Sequence, residues 1–563
     1  MNIVEKVQSE IRNILSAALG EAYSSAQTPD FLVEVPKDPS NGDYSTNMAM
    51  LLARQLKLPP REIASKIVAC IPPCSLISKI DIAGAGFINF YLNNSYLYEV
   101  ISEIENKCED YGKINIGNGK KINVEFVSAN PTGPMHMGNA RGGAIGDCLA
   151  SVLQMAGYDV TREFYVNDAG AQIDKFGRSL EARYRQILTG STDFPEDGYK
   201  GDDITVHAQN YIDLYGDKLL NVSEAERKQA LIDYALPLNL KKMKKDLKNY
   251  RIEYDNWFYE SSLHNNGDVL KTIELLKETS LVYEKDGALW FKSTEFIEKR
   301  GEDDRSYKDD VLVRDNGIPT YFAADIAYHR NKLLTRDFDL AINIWGADHH
   351  GHIARMKGAL QALGLDPDKL YVITMQLVRL MENGEIVRMS KRTGKMITLS
   401  DLLEDIGVDA ARFFFNLRQA GSHFDFDLSL AVSQTNDNPV FYVQYAHARI
   451  CSILRLMAND GINVLPYSEI DASLLTAPQE VDLLKKIAEL PEEVRIAAEL
   501  YEPSRLTRYV TEVSALFHSF YNACRIRGEE PALAAARLKL CDCVRIVIAN
   551  CLKALGVTAP QKM

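Results

Sequence analysis

Three short stretches carry side chains whose types and spacing could act together on a phosphorylated substrate. In the first, Ala129-Asn-Pro-Thr-Gly-Pro-Met-His-Met-Gly-Asn139 joins the apolar run INVEFV to a helical pattern. In an open α/β sheet, ligands sit outside the carboxyl ends of strands, and helix N-termini attract phosphate. His136 and Asn139, three apart, point toward one such volume, and Gly138, Gly142 and Gly143 clear the first helical turns for a flat ligand. The spacing is neither G-x-G-x-x-G nor a Walker sequence. In the second stretch, Gly384-Glu-Ile-Val-Arg-Met-Ser-Lys-Arg-Thr-Gly394, Arg388, Lys391 and Arg392 form a cationic arm able to follow charge on a polyphosphate. Taken alone, the glycines read as close helix–sheet packing and the basic loop as a solvated one.

The third stretch, Gly346-Ala-Asp-His-His-Gly-His352, ends a strand pattern. Asp348 there could accept from a ribose hydroxyl, with Gly346 letting a nucleoside approach. Zinc is not expected, because His349, His350 and His352 have no spaced Cys or fourth ligand. Tyr321 and Asp325 lie four apart in a helix-like segment after Pro319, hence on one face; alone they would pass for a surface pair.

The elements that must position these groups follow from periodicity. Residues 122–127, the helix stripe Ala144, Ile145, Cys148, Leu149, Val152, Leu153, Ala156, and residues 160–166 read as a βαβ unit. The pattern recurs at 340–345 and in the stripe Ile353, Met356, Leu360, Leu363, and a strand is expected over 371–378. The organisation expected is a 1–110 α+β unit and a 120–375 Rossmann-like domain with a largely helical insertion at about 175–300. A 376–435 region carrying the basic loop and a 436–563 helical bundle follow. The bundle is near-neutral, with 14 basic and 15 acidic residues. The fold class is therefore α/β with a parallel sheet, flanked by an α+β and an all-α domain.

Composition narrows the class further. The 563 residues exceed what one core can hold, and 46% hydrophobic with 25% charged residues excludes disordered and collagen-like chains. No apolar stretch reaches 18 residues, so no membrane partner is expected. Nine cysteines, without CxxC pairs, suit reduced thiols and a cytoplasmic setting; Cys541 and Cys543 read as small packing residues. The net charge of −13 lends no support to a nucleic-acid partner but does not exclude one, since binding depends on local basic surface.

Together, the histidine turn and a Met-Ser-Lys loop about 250 residues later resemble the paired signatures of class I aminoacyl-tRNA synthetases. VEFVSANPTGPMHMGNARGGAIGD, TYFAADIAYH, GADHHGH, DAARFFF and NPVFYVQYAHAR, with GDYSTN, AGAGFINFYL and LGVTAPQKM, are similar to bacterial-type arginyl-tRNA synthetases over the whole chain. Two positions depart from the family pattern: Asn139 stands where His is usual, and Arg388 where Lys is usual.

The resemblance implies a two-step ligation of L-arginine to tRNA-Arg through arginyl-adenylate, using ATP and Mg²⁺, with arginine activation requiring bound tRNA. It implies catalytic roles for His136, Asn139 and Lys391, and ATP contacts from Gly138, Gly346, Asp348, Arg388, Met389 and Ser390. Arginine contacts would come from Glu125, Ser128, Asn130, Tyr321, Asp325 and His349. The anticodon would meet Tyr442, Gln444, Tyr445, His447 and Arg449, where Tyr442 and Tyr445 could equally be core residues. The N-terminal unit would meet the tRNA elbow, residues 241–251 could meet the acceptor stem, and a monomer is expected. The alternatives are another adenylate-forming nucleotidyltransferase of the same fold, a tRNA-binding paralogue, or a class I enzyme for another amino acid.

Overall fold

The computed structural model describes residues 3–36, 38–296, 308–387 and 397–563, with the side chains of Pro39, Asp348 and His350 outside the description. The first unit packs helices α1 (Ile3–Ala22), α2 (Met48–Leu56), α3 (Pro60–Ala69) and α4 (Ser95–Lys107) on an antiparallel sheet. Its strands β1 (Val33–Glu34), β2 (Tyr44–Thr46), β3 (Ile77–Ala83) and β4 (Phe87–Leu92) run in the order β1-β2-β4-β3. Pro60 separates α2 from α3 by occupying the first turn of the second helix, where its missing N–H costs nothing.

The central sheet holds β5 (Lys121–Glu125), β6 (Asp159–Val166), β7 (Asn256–Tyr259), β11 (Leu340–Gly346) and β12 (Leu370–Met375). All pairs are parallel and the order is β12-β11-β5-β6-β7. The strand order therefore reverses between β5 and β11, where an open parallel sheet leaves its ligand crevice. Helix α5 (Met137–Met155) covers one face. Gly146 permits that close approach: a Cβ there would stand 2.2 Å from the Phe126 ring, and one on Gly143 2.8 Å from Ile252.

Helices α6 (Gly170–Thr189), α7 (Asp202–Tyr215) and α8 (Glu224–Asn249) lie between β6 and β7, within the stretch read as a helical insertion. Its second half differs from expectation. Residues 256–259 rejoin the central sheet as β7 and lead into α9 (Glu260–Asn265) and α10 (Asp268–Lys277). Strands β8 (Val282–Lys285), β9 (Ala288–Phe291) and β10 (Asp310–Val313) make a small antiparallel sheet beside α11 (Tyr321–Arg330). A four-residue strand such as NWFY is too short for periodicity to separate from its helical neighbours.

Helix α12 (His350–Ala362) returns the chain to β12. The strand expected over 371–378 is in fact broken at Gln376 and Leu377, where the chain leaves the parallel sheet. It then enters a second sheet of β13 (Val378–Glu382), β14 (Glu385–Val387) and β15 (Phe424–Asp427). Between β14 and β15 lie α13 (Leu399–Ile406) and α14 (Val408–Phe415); α15 (Leu428–Val432) precedes the bundle α16 (Pro439–Asn459), α17 (Pro478–Ala488), α18 (Leu490–Glu499), α19 (Ser504–Ala523) and α20 (Pro531–Leu555). One buried apolar cluster runs from the first unit through α5 into the bundle. Cys541 and Cys543 are fully buried within it. Among the described residues, no helix is long and apolar enough to cross a membrane.

Candidate active site

His136 is the N-cap of α5, with extended backbone at φ −94° and ψ 167°. Its Nδ1 accepts from the Gly138 N–H at 3.1 Å, and the Asn139 Oδ1 accepts from the His136 N–H at 3.1 Å. This reciprocal pair satisfies two orphan donors of the helix and fixes the turn. Burial lowers the His136 pKa, so the ring is neutral at neutral pH. Because Nδ1 is an acceptor, the proton sits on Nε2, which becomes a donor. Asn139 uses its oxygen internally and keeps its NH₂ group for a ligand.

The segment that follows the basic stretch pairs with this turn from the other half of the domain. Met137 N–H donates to Ile397 O at 3.1 Å and Leu399 N–H to Met135 O at 2.9 Å, so the chain just after residue 396 is stitched to the histidine turn. A cavity of about 370 Å³ lies here, lined by His136, Gly138, Met375, Leu377, Val387 and Ile397 among others. That volume suits a small-molecule site. Arg388, Met389, Ser390 and Lys391 lie outside the described residues, but Val387 and Ile397, on either side of them, both line the cavity. At roughly 3.4 Å per residue, Lys391 can be no more than about 14 Å along the chain from Val387. Gly346 ends β11 beside the reversal point, and the Asp348 side chain lies outside the described residues.

A second cluster is acidic. Thr320 caps α11 and sets Tyr321 and Asp325 one turn apart. With the Asn167 amide in its better-bonded orientation, its oxygen accepts from Tyr321 OH at 2.5 Å. Its nitrogen donates to Ala169 O at 2.8 Å and to Glu260 at 3.1 Å. Asn130, exposed on the histidine turn, has its amide oxygen 3.2 Å from the same group. A Cβ on Gly170 would touch the Tyr321 ring at 3.8 Å and Glu260 Oε1 at 3.9 Å, so phenol and carboxylate face one space. Asp325 Oδ2 lies 3.2 Å from His352 Nε2, and the His349 ring packs against Trp345 with 6.2 Å between centroids.

Glu260 was not expected from the sequence. It is 3% exposed, and burial, reinforced by the Asp325 and Asp168 carboxylates, lifts its pKa to about 7. A carboxyl held out of water beside two others ionises fully at neutral pH only where a cation meets it, and His264 Nε2 already lies 3.6 Å from Glu260 Oε1. The available signal was a lone acid at the end of the apolar NWFY, hidden because that segment read as insertion.

Beneath both clusters lies a buried charge network. Lys332 is 0% exposed, donating to Glu125 at 2.6 Å and to Asn343 Oδ1 at 3.1 Å. Ser128 Oγ donates to the other Glu125 oxygen at 3.0 Å and accepts from Tyr165 N–H at 3.1 Å. These bonds hold Val127 and Ser128 at φ +69° and +40°, strained for L residues and costly for a β-branched one. Burial alone would raise the Glu163 carboxyl, but Arg336, Lys332 and the Tyr328 hydroxyl hold it at about 2. A π-helical turn, Asn331–Thr335, with Arg336 capping it, turns Lys332 and Arg336 toward these acids. The neutral His329 (burial pulls it to about 4) donates from Nδ1 to Asp325 O at 2.8 Å and accepts from Asn343 at 2.7 Å. Glu125 is thus a carboxylate already compensated from below.

On α16, three of the five expected residues form a half-buried aromatic face and two turn inward. Tyr442 and Tyr445 pack on His518 with centroids 4.9 and 6.0 Å apart, and the Arg449 guanidinium lies 4.4 Å from the Tyr521 ring centroid. Gln444 donates to Asp409 at 2.8 Å and to Thr558 O at 2.9 Å. His447 is buried, with Nδ1 bonded to Pro560 O at 2.9 Å. These two pin the C-terminal segment and present little to an outside partner.

Comparison with known proteins matches three successive parts of the chain. Residues 9–92 match the arginyl tRNA synthetase N terminal domain, 100–418 the class I (R) tRNA synthetase catalytic domain, and 443–563 the DALR anticodon binding domain. The chain is 55% identical over 570 residues to the arginine–tRNA ligase of Ruminiclostridium cellulolyticum, covering all of both chains. Identity to the arginine–tRNA ligase of Caldanaerobacter subterraneus is also 55% over 570 residues, again with all of both chains covered. Among solved structures, Thermus thermophilus arginyl-tRNA synthetase superposes with a TM-score of 0.73 at 22% identity, covering 99% of this chain and 100% of that one.

Proposed function

The chain belongs to the arginyl-tRNA synthetase family of class I and is an arginine–tRNA ligase, and from that premise we propose how its residues divide the work. ATP lies with its base in the cavity between residues 375–380 and Gly138, and its triphosphate runs past the N-terminus of α5. Arginine lies beyond, with its guanidinium between Glu260 and Asp325 under the Tyr321 hydroxyl. Its α-amino end lies toward Ser128 and Asn130, over Glu125. What supports this reading is that Asn130, on the same turn as His136, lies 3.2 Å from the Asn167 amide, which bonds to both Tyr321 and Glu260, so the histidine turn and the acidic cluster adjoin.

Activation joins the arginine carboxylate to the α-phosphorus and expels pyrophosphate. The nucleophile is already an anion, so no general base and no covalent enzyme intermediate is needed. The requirement is in-line placement and charge cancellation on phosphoryl oxygens. The Nε2–H of His136, the amide of Asn139 and the ammonium of Lys391 supply donors, with Arg388 as a second cation and the positive end of the α5 dipole behind them. Mg²⁺ bound with the nucleotide would screen the triphosphate charge; among the described residues no cluster of three ligating side chains is present to hold the ion by itself. Asp348, after Gly346, receives the ribose hydroxyls.

In the second step the 2′-hydroxyl of the terminal tRNA adenosine takes the aminoacyl group and AMP leaves. The tRNA meets the N-terminal unit at its elbow and the α16 aromatic face, Tyr442, Tyr445 and Arg449, at splayed anticodon bases. Gln444 and His447 serve that face by fixing the helix. A guanidinium matched to the buried Glu260 and the half-buried Asp325 rejects lysine and citrulline without a separate editing site, because a misfit leaves polar groups unpaired. ATP–pyrophosphate exchange with each amino acid, with and without tRNA, tests the assignment. Exchange should appear with arginine alone among them and require tRNA; equal exchange with another amino acid would overturn it.

A further inference from the structure

Arg141 sits on α5, five residues after His136, and is 0% exposed. Its Nη1 donates to Gln376 O at 2.8 Å, and its Nη2 to Gln419 O at 2.9 Å and Ser422 O at 3.1 Å. The guanidinium carbon also lies 5.8 Å from the centre of the Phe424 ring. All three acceptors are backbone carbonyls. Burial lowers the Arg141 pKa to about 10, which leaves it charged at neutral pH, and among the described residues no carboxylate pairs with it. Burying a charge against neutral partners is costly, and an apolar side chain would fill the space more cheaply. The arrangement therefore calls for a reason beyond packing.

That reason is what the three carbonyls belong to. Gln376 stands two residues before β13, and Ser422 two residues before β15; these strands pair in parallel from Val378 opposite Phe424. The Gln376 N–H donates to Ala420 O at 3.0 Å, so both backbone groups of Gln376 are committed away from the cavity it lines. One planar fork of donors thus ties the starts of both strands to the helix that His136 opens. From that tie β13 turns into β14, and β14 ends at Val387, the last described residue before the Arg388–Lys391 stretch. The break between β12 and β13, which periodicity alone does not predict, falls on the residue Arg141 grips.

We propose that Arg141 is a positioning residue for the nucleotide, holding the 375–379 wall and the base of the β13–β14 hairpin at a fixed distance from the histidine turn. It touches neither ATP nor arginine and acts through the Gln376 carbonyl. The inference rests on the placement of ATP in this cavity. Loosening the wall degrades recognition of the base while leaving the carboxylate pocket, on the other side of the reversal point, intact.

The test is tRNA-supported, arginine-dependent ATP–pyrophosphate exchange by the full-length enzyme and its Arg141→Lys and Arg141→Met variants, with ATP, GTP and arginine each titrated. Losing charge-assisted bonds to the wall should raise the KM for ATP about ten- to a hundred-fold in Arg141→Met. Arg141→Lys, which keeps the charge and can reach fewer carbonyls, should fall between it and the unaltered enzyme. The KM for arginine should stay within about twofold, and the preference for ATP over GTP should shrink. An unchanged KM for ATP, or equal rises in both KM values, would overturn the role. If Arg141→Met does not fold, Arg141→Lys decides by the same ratio. Absence of arginine-dependent exchange in the unaltered enzyme would instead overturn the ATP and arginine placement, and this inference with it.

Discussion

On the proposed reading, the histidine turn and the acidic cluster solve opposite electrostatic problems by different means. At the proposed nucleotide end the ligand is polyanionic and the described residents are neutral: a histidine whose pKa is lowered by burial and an asparagine, both at the start of α5. The positive charge proposed for this end is that of Arg388 and Lys391, which fall in sequence between Val387 and Ile397, two residues that line the cavity. At the amino-acid end the ligand is a cation and the protein holds its own charge ready. Glu260 is nearly sealed from water, beside Asp325 and Asp168. On the proposed reading, selectivity for a guanidinium comes from Glu260, a carboxyl whose burial makes it costly to ionise until a cation arrives. Selectivity for the nucleotide comes from shape and from donors placed where phosphate charge develops. The first end is built for rate, the second for discrimination.

That contrast breaks most directly at Lys391. Lys391→Ala should lower the exchange rate about 10²- to 10³-fold, the usual loss for one preorganised donor, with little change in arginine affinity. At the other end, Asp325→Asn or Glu260→Gln should weaken arginine binding about ten- to a hundred-fold, as expected for a lost charge-assisted bond, and ATP binding far less. Calorimetric titration of each ligand separates the two; equal losses for both ligands would remove these acids from the guanidinium site. On the tRNA face, Tyr442→Ala or Tyr445→Ala should each weaken tRNA binding by about 1–3 kcal/mol, the range for one stacked base, without altering arginine or ATP binding.

The smallest effect is a pH dependence, and its sign follows from Glu260. A carboxyl raised from 4.5 to about 7 is protonated in the free protein at mildly acid pH and must ionise to meet a cation. Arginine affinity should therefore increase as pH rises through about 7, by a few-fold and with proton release, and Glu260→Gln should flatten the curve. For folding the sign is opposite. The raised pKa contributes stability that is present below 4.5 and lost as pH rises toward and through 7. Melting of the ligand-free protein should lose that increment between pH 5 and 8, and saturating arginine should restore it.

Much of the scaffold was legible because it is periodic. The α5 stripe and the strands at 159–166 and 340–346 follow directly from burial of one face or both. So do the Tyr321–Asp325 pairing on α11 and the helical bundle from Asn436 onward. What escaped is what depends on partners far apart in sequence. Glu260 looks like any acid until β6 and α11 enclose it. Lys332 and Arg336 look like surface charges until a π-helical turn swings them onto Glu125 and Glu163. The break after β12 falls on Gln376, whose carbonyl accepts from an arginine 235 residues earlier. Gln444 and His447 fit a tRNA-facing pattern on α16, but the C-terminal segment folds back and takes both.

The central claim is that one crevice holds nucleotide and arginine end to end, with phosphate between a histidine turn and a lysine stretch. The most direct measurement is a crystal structure of the enzyme with a non-hydrolysable arginyl-adenylate analogue. It should place the base against residues 375–380, the phosphate mimic at the start of α5 with Lys391 in reach, and the guanidinium between Glu260 and Asp325. A guanidinium bound away from those two acids, or a base outside the cavity lined by Gly138 and Met375, would contradict it.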